Sequence, residues 1–153
     1  MSETSRFPFT HEALRAATTV HRAAKRMARF HDVDAAGTVF FPRYFEYASE
    51  LAIEHLLHRG VDVPGVLRAG SWAAPLVHVE ADYAAPLRFG DRFEIQLVAL
   101  YAGRSSYGFG LRLLRDDDTR ALVATVAVMH VCIDAKTFRP MALPADLRAA
   151  LTD

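Results

Sequence analysis

The sequence predicts a single α+β domain in which an antiparallel sheet packs against one long helix. Three features point there: one segment with helical periodicity and two marked ends, a series of strand-like segments joined by short turns, and enough apolar residues for one core. The chain has 153 residues, 52% of them hydrophobic and 24% charged. A chain of this size buries about 70% of its unfolded surface and needs neither disulfides nor a metal to fold.

The helix runs from Pro42 to Arg59. Tyr44, Tyr47, Ala48, Leu51 and His55 recur at three- and four-residue steps, and Arg43, Glu46, Glu50, Glu54 and His58 form the opposite stripe. Pro42 suits a first helical position and Gly60 a left-handed stop. Residues 1–20 read as an N-terminal extension holding a short helix that Thr10 caps, with Glu12 in its first turn. Residues 21–153 read as the domain itself. His21 to Phe30 reads as a first strand and Gly60 to Gly70 as a loop. Leu76 to Tyr83 alternates, and turns at Pro86–Asp91, Gly103–Ser106 and Asp116–Thr119 separate three further strands, Arg92–Leu100, Tyr107–Leu114 and Ala121–Asp134. Short turns between successive strands make them antiparallel neighbours.

The last strand does not alternate: Leu122, Val123, Ala124, Val126, Ala127, Val128 and Met129 are apolar on both faces. Such a strand is covered on both sides, and one helix covers only one. The expectation is therefore an obligate homo-oligomer whose second subunit covers the other face.

Eighteen basic side chains balance eighteen acidic ones, which removes the cationic excess that nucleic-acid binding relies on. The single cysteine, Cys132, agrees with a reducing compartment. No apolar run approaches the roughly 20 residues that span a bilayer, and the first residues lack the pattern of a signal peptide. A cytoplasmic protein without nucleic-acid or membrane partners is expected.

The segment Arg29-Phe30-His31-Asp32-Val33-Asp34-Ala35-Ala36-Gly37-Thr38-Val39-Phe40-Phe41-Pro42-Arg43-Tyr44 concentrates the chemistry. Two carboxylates end a strand, a small-residue loop follows, and a helix begins. Phe41 stands where a capping side chain belongs and cannot accept from the first-turn amides. Those amides face either water, Asp34 or a carbonyl oxygen or anion brought by a ligand.

The pattern Phe30-x-Asp32-x-Asp34-x-x-Gly37-x-Val39 with Pro42-x-Tyr44 resembles the signature of the 4-hydroxybenzoyl-CoA thioesterase family of hotdog-fold enzymes. Pro75, Tyr83-Ala84-Ala85-Pro86-Leu87, Gly90-Asp91, Gly103-Arg104-Ser105, Asp134, Arg139-Pro140 and Leu143-Pro144 follow in the family's order, so the resemblance spans His21 to Leu147. It implies a five- or six-stranded antiparallel sheet wrapped around the long helix, subunits paired edge to edge, and an active site at the dimer interface. It further implies hydrolysis of an acyl-CoA thioester without a cofactor or metal, with Asp34 as catalytic carboxylate and the Phe41 amide polarising the thioester carbonyl. The assembly it implies is a homodimer or a dimer of dimers, a homotetramer.

Within that resemblance, Asp32 and Gly37 shape or support the loop, Asp32 as a loop-capping acid or a helper of Asp34. Tyr44, Tyr47 and Trp72 are candidates for the acyl pocket, or core aromatics. Arg104 and Arg139 match nucleotide-contacting positions, and Lys136 and Arg88 are further candidates for coenzyme A phosphates. Ser49 replaces an acid that the hydroxybenzoyl-specific enzyme carries on the helix, which leaves the acyl group open. Glu46 and Glu50 fall on the polar stripe. His78, Glu80 and Asp82 share a strand face without metal-ligand spacing and read as polar partners at a contact. Rival readings are an acyl-carrier-protein thioesterase, a non-catalytic acyl-CoA-binding module and, more remotely, a hydratase using His31 beside Asp32.

Overall fold

A computed structural model describes residues 8–152. In chain order the elements are α1 (His11–Ala16), β1 (Arg22–Met27), a 3-10 turn (Phe30–Asp32), α2 (Arg43–His58), α3 (Val63–Ala69), β2 (Trp72–Ala73), β3 (Leu76–Tyr83), β4 (Arg92–Ala102), β5 (Ser106–Arg115), β6 (Leu122–Val131), β7 (Ile133–Asp134) and α4 (Ala145–Leu151). Five strands form an antiparallel sheet in the order β1-β4-β5-β6-β3, and β2 pairs with β7. The hotdog architecture expected from the motif is met.

The register decides which side chains enter the core. Phe93, Ile95 and Leu97 of β4 face inward beside Leu111 and Leu113 of β5 and Ala124, Val126 and Val128 of β6. They meet the predicted inner stripe of α2: Tyr44, Tyr47, Ala48, Leu51 and His55 are all buried. The helix starts at Arg43, one residue later than the pattern suggested, with Pro42 as the cap residue and Gly60 beyond its end at φ +89°.

Four elements were not visible in the pattern. The Gly60–Gly70 segment contains α3, because Asp62 accepts the Gly65 amide at 3.0 Å and Pro64 fits the first turn. No residue of α3 is fully buried, and its apolar side chains Val63, Val66 and Leu67 span a single turn, too short a run to show a period. The short pair β2 and β7 splits the long last strand at Cys132, and α4 seals the far end of α2, where His55 Nε2 lies 3.0 Å from the Ala150 carbonyl. Burial lowers the pKa of His55.

The coverage of β6 differs from the expectation. Its outer face is covered by the chain's own α1: Leu14 is buried and packs in one cluster with Val98 and Ala127. The apolar second face therefore does not by itself require a second subunit.

Leu51 is fully buried at the centre of the α2–sheet contact. Leu51→Ala is expected to cost about 2–5 kcal/mol through lost burial and the cavity left behind, read as a lower urea midpoint with an unchanged slope.

Candidate active site

Asp32 anchors the segment between β1 and α2. Its carboxylate is wholly buried, and Oδ2 accepts from the Arg29 amide at 3.0 Å, the Tyr47 hydroxyl at 2.7 Å and Arg29 Nε at 3.3 Å. Its backbone carbonyl accepts from the Phe40 amide at 2.8 Å. One residue thus joins the strand exit, the second turn of α2 and the chain entering α2. Burial alone would raise the Asp32 pKa, but the Arg29 amide, the Tyr47 hydroxyl and the Arg29 guanidinium together hold it below the ordinary carboxylate range. Oδ1 makes no hydrogen bond and is faced by His31 Nε2 at 3.7 Å and Arg43 Nε at 3.9 Å. Asp32 is a structural loop anchor here, with no face toward the cleft described next.

Asp34, two residues on, has the opposite environment. The Asp34 amide donates to Thr38 O at 2.9 Å, Gly37 N donates to Asp34 O at 3.0 Å, and Val33 bridges Val39, so the loop closes on itself. Gly37 sits at φ +80°, where a side chain is strained although nothing would crowd it. The Asp34 carboxylate is exposed and among the described residues accepts only the Ala36 amide, at 2.9 Å. It leaves the start of α2 untouched.

That start is uncapped. Arg43 N reaches Phe40 O at 2.9 Å, whereas the Phe41 and Tyr44 amides donate to no acceptor among the described residues. Asp34, Phe41 and Tyr44 line one cleft of about 380 Å³ with Thr38, Val39, Tyr83 and the Ala84-Ala85-Pro86 turn. The Tyr83 hydroxyl donates to Phe41 O at 3.0 Å, and its ring meets Tyr44 edge-on at 5.0 Å. Asp34 and the two residues with unengaged amides, Phe41 just before the Pro42 cap and Tyr44 in the first turn, therefore line one cavity.

Residues 28–151 match the thioesterase-like superfamily. The chain belongs to that superfamily. It is 33% identical over 125 residues to a 1,4-dihydroxy-2-naphthoyl-CoA hydrolase of Synechococcus elongatus, covering 81% of this chain and 90% of the relative. The structure superposes on a 1,4-dihydroxy-2-naphthoyl-CoA thioesterase from Synechocystis with a TM-score of 0.80 at 24% identity, covering 86% of this chain and 95% of that one. A gentisyl-coenzyme A thioesterase gives a TM-score of 0.73 at 21% identity, with 86% and 100% covered. The thioesterase identity read from the motif stands, and acyl-CoA thioester hydrolysis agrees with these names.

The thioesterase fold separates the remaining candidates. Tyr44 lines the Asp34 cleft, whereas Tyr47 is buried and spends its hydroxyl on Asp32. Trp72 lines a second, more apolar cavity of about 240 Å³ between α2, α3 and β6, together with Tyr107 and His130. Ser49 lines a small adjoining pocket of about 60 Å³. Arg88 is drawn to the Asp34 loop by its bridge to Thr38. Arg104, Lys136 and Arg139 are exposed near the opposite end of the sheet, where Arg104 O accepts the Leu143 amide at 3.0 Å. His78 and Glu80 pair at 3.5 Å, and Glu80 and Asp82 are engaged by His11 and Arg15 of α1. Cys132 is buried in the core.

His130 was not singled out by the sequence pattern. Its Nδ1 lies 2.9 Å from the Ala74 carbonyl, and its ring stacks on Tyr107 at 5.0 Å and 11°. Burial lowers its pKa, against the Ala74 carbonyl, which favours the protonated form. A neutral ring that donates from Nδ1 keeps Nε2 as an acceptor.

Tyr47→Phe removes one donor to Asp32. The variant is expected to be less stable by about 1–3 kcal/mol at neutral pH. Because the folded-state pKa of Asp32 is depressed, its stabilisation is present above the unfolded carboxylate value and lost as pH falls through the folded one. The difference between wild type and variant therefore narrows below about pH 4, measured by urea denaturation across pH.

Proposed function

We propose that the chain hydrolyses the thioester of an acyl-CoA carrying a ring-hydroxylated aromatic acyl group, at two sites of a homodimer, with Asp34 and the Phe41 amide as the reacting pair. The observation that carries this is the Asp34 cleft, lined both by Asp34 and by Phe41 and Tyr44, whose amides donate to no acceptor among the described residues. As the thioester carbon is attacked its oxygen gains charge, and one preorganised backbone donor stabilises that charge by about 3–4 kcal/mol. The Asp34 carboxylate either adds to the carbon, expels the coenzyme A thiolate and leaves a mixed anhydride for water to open, or takes a proton from the attacking water. Thiolate is a good leaving group, so neither route asks for a metal or cofactor.

The dimer follows from the sheet edges. β1 is an edge carrying Arg22, Lys25 and Arg26, charges that blunt strand pairing, while β3 is the other edge and exposes Leu76, Val77 and Tyr83. Antiparallel pairing of β3 with its copy, on an axis near Val79, brings the Leu76 end of one subunit beside the Tyr83 end of the other. His130 pairs with Leu76, and Tyr83 lines the Asp34 cleft. The cavity of Trp72, Tyr107 and His130 in one subunit then opens toward Asp34 of the other and receives the aromatic ring, with His130 Nε2 accepting from a ring hydroxyl. The same pairing carries Arg104, Lys136 and Arg139 across to join Arg88 around the coenzyme A phosphates. The substrates for which the relatives are named, dihydroxynaphthoyl and gentisyl thioesters, are ring-hydroxylated.

The buried single cysteine suits a reducing cytoplasm, and among the described residues no helix is long and apolar enough to cross a membrane.

Thiol release from hydroxyaroyl-CoA esters is expected to fall at least about a hundredfold in Asp34→Asn, with binding of the ester retained. A wild type that binds the esters and releases no thiol would instead favour a binding module. The shared-site geometry has its own check: Asp34→Asn and His130→Ala are each expected to be impaired, and mixing them by co-refolding is expected to restore up to about a quarter of wild-type turnover, because half of the random dimers carry one intact site. No restoration would place both residues in one subunit's site.

A further inference from the structure

The family match begins at residue 28, so α1 lies outside it, yet α1 sits in a fitted seat on the outer face of the sheet. The centre of that face is a small apolar strip made by Val98, Ala99, Gly110, Ala127 and Met129. Leu14 is 1% exposed and fills the notch that Gly110 leaves: a Cβ on Gly110 would run into Leu14 Cδ2 and come within 3.0 Å of Phe9 and of Ala99.

The polar rim is equally matched. Glu80 and Asp82 are met by His11 Nε2 at 3.3 Å and by Arg15 at 3.0 Å. His11 Nδ1 lies 2.7 Å from Thr125 Oγ1, and Arg112 donates to Arg15 O at 2.8 Å. A six-residue helix has no stability of its own in water, so these contacts, with the Thr10 cap on the Ala13 amide, hold it. Polar groups of three different strands and the Gly110 notch in the strip all converge on it.

We propose that α1 is a built-in cover which occupies the place of a neighbouring subunit on the outer sheet face, so that copies associate through the β3 edge and stop at a dimer. The limit to a dimer rests on the β3 pairing proposed above; the cover itself does not. A second copy reaches this face only when α1 leaves it, and what it then meets is a self-complementary apolar strip ringed by both signs of charge.

The test combines sedimentation of the full chain with amide hydrogen exchange of α1, for wild type and for Leu14→Asp, which sets a carboxylate on the strip without altering the sheet. Wild type is expected to sediment as a dimer at all loadings, with the α1 amides protected. In Leu14→Asp those amides lose protection, and species heavier than a dimer grow with concentration while thermal unfolding stays cooperative. A wild-type tetramer, unprotected α1 amides in wild type, or a Leu14→Asp protein that releases α1 and keeps the wild-type mass would each overturn the proposal. A wild-type monomer with protected α1, whose Leu14→Asp variant self-associates, would support the cover and contradict the β3 pairing. None of these readings depends on thioesterase activity.

Discussion

The cleft depends on one buried charge. Asp32 takes hydrogen bonds from the end of the first strand, from its own loop and from Tyr47 of the long helix. Burying a carboxylate is costly unless it is bonded, and here the bonds come from both segments that have to be held together. The consequence is positional. With Asp32 bound at both ends, the five residues that follow Val33 close as a small loop, and Asp34 is held outward beside an α2 start that no side chain caps. Two aspartates two residues apart thus have opposite fates, one immobilised to shape the loop and one left with an oxygen to spare.

The same economy governs the start of α2. A helix normally satisfies its first amides with a side chain; here Phe41 and Pro42 offer none. Tyr83 instead holds the Phe41 carbonyl from the edge strand, which ties the orientation of this turn to the strand proposed to pair with a second subunit. In the proposed dimer, cleft geometry and assembly are coupled through one tyrosine. The aromatic cavity behind His130 lies at the other end of the same strand, so in the proposed dimer the length of β3 would set the distance between Asp34 and that cavity across the two-fold axis.

The parts of this arrangement that were legible in the sequence are those with a local signature. The α2 stripe, the alternation of β3 and the turns around Gly90, Gly103 and Asp116 are written in spacing, and the Asp34 motif is written in residue order. What was hidden depends on contacts distant in the chain. α3 is seven residues long with none fully buried, too short to show a period; β7 separates from β6 at the buried Cys132; and Trp72 was grouped with Tyr44 although the fold sends them to different cavities. The apolar outer face of β6 was visible, but its partner was an N-terminal helix that had no chemistry to announce it. His130 gave no signal because its partner, the Ala74 carbonyl, is 56 positions away.

The central claim is that the thioester oxygen is held by the Phe41 amide while Asp34 faces the carbon. The most direct measurement is the isotope-edited carbonyl stretch of a hydroxyaroyl-CoA, labelled with carbon-13 at the thioester carbon and bound to Asp34→Asn so that it is not consumed. A donor hydrogen bond from a helix start weakens the C=O bond, so the account predicts a band shifted clearly below that of the free ester in water. A band at or above the free-ester frequency would mean that the carbonyl does not reach the helix start, and would contradict the pairing of Asp34 with the Phe41 amide.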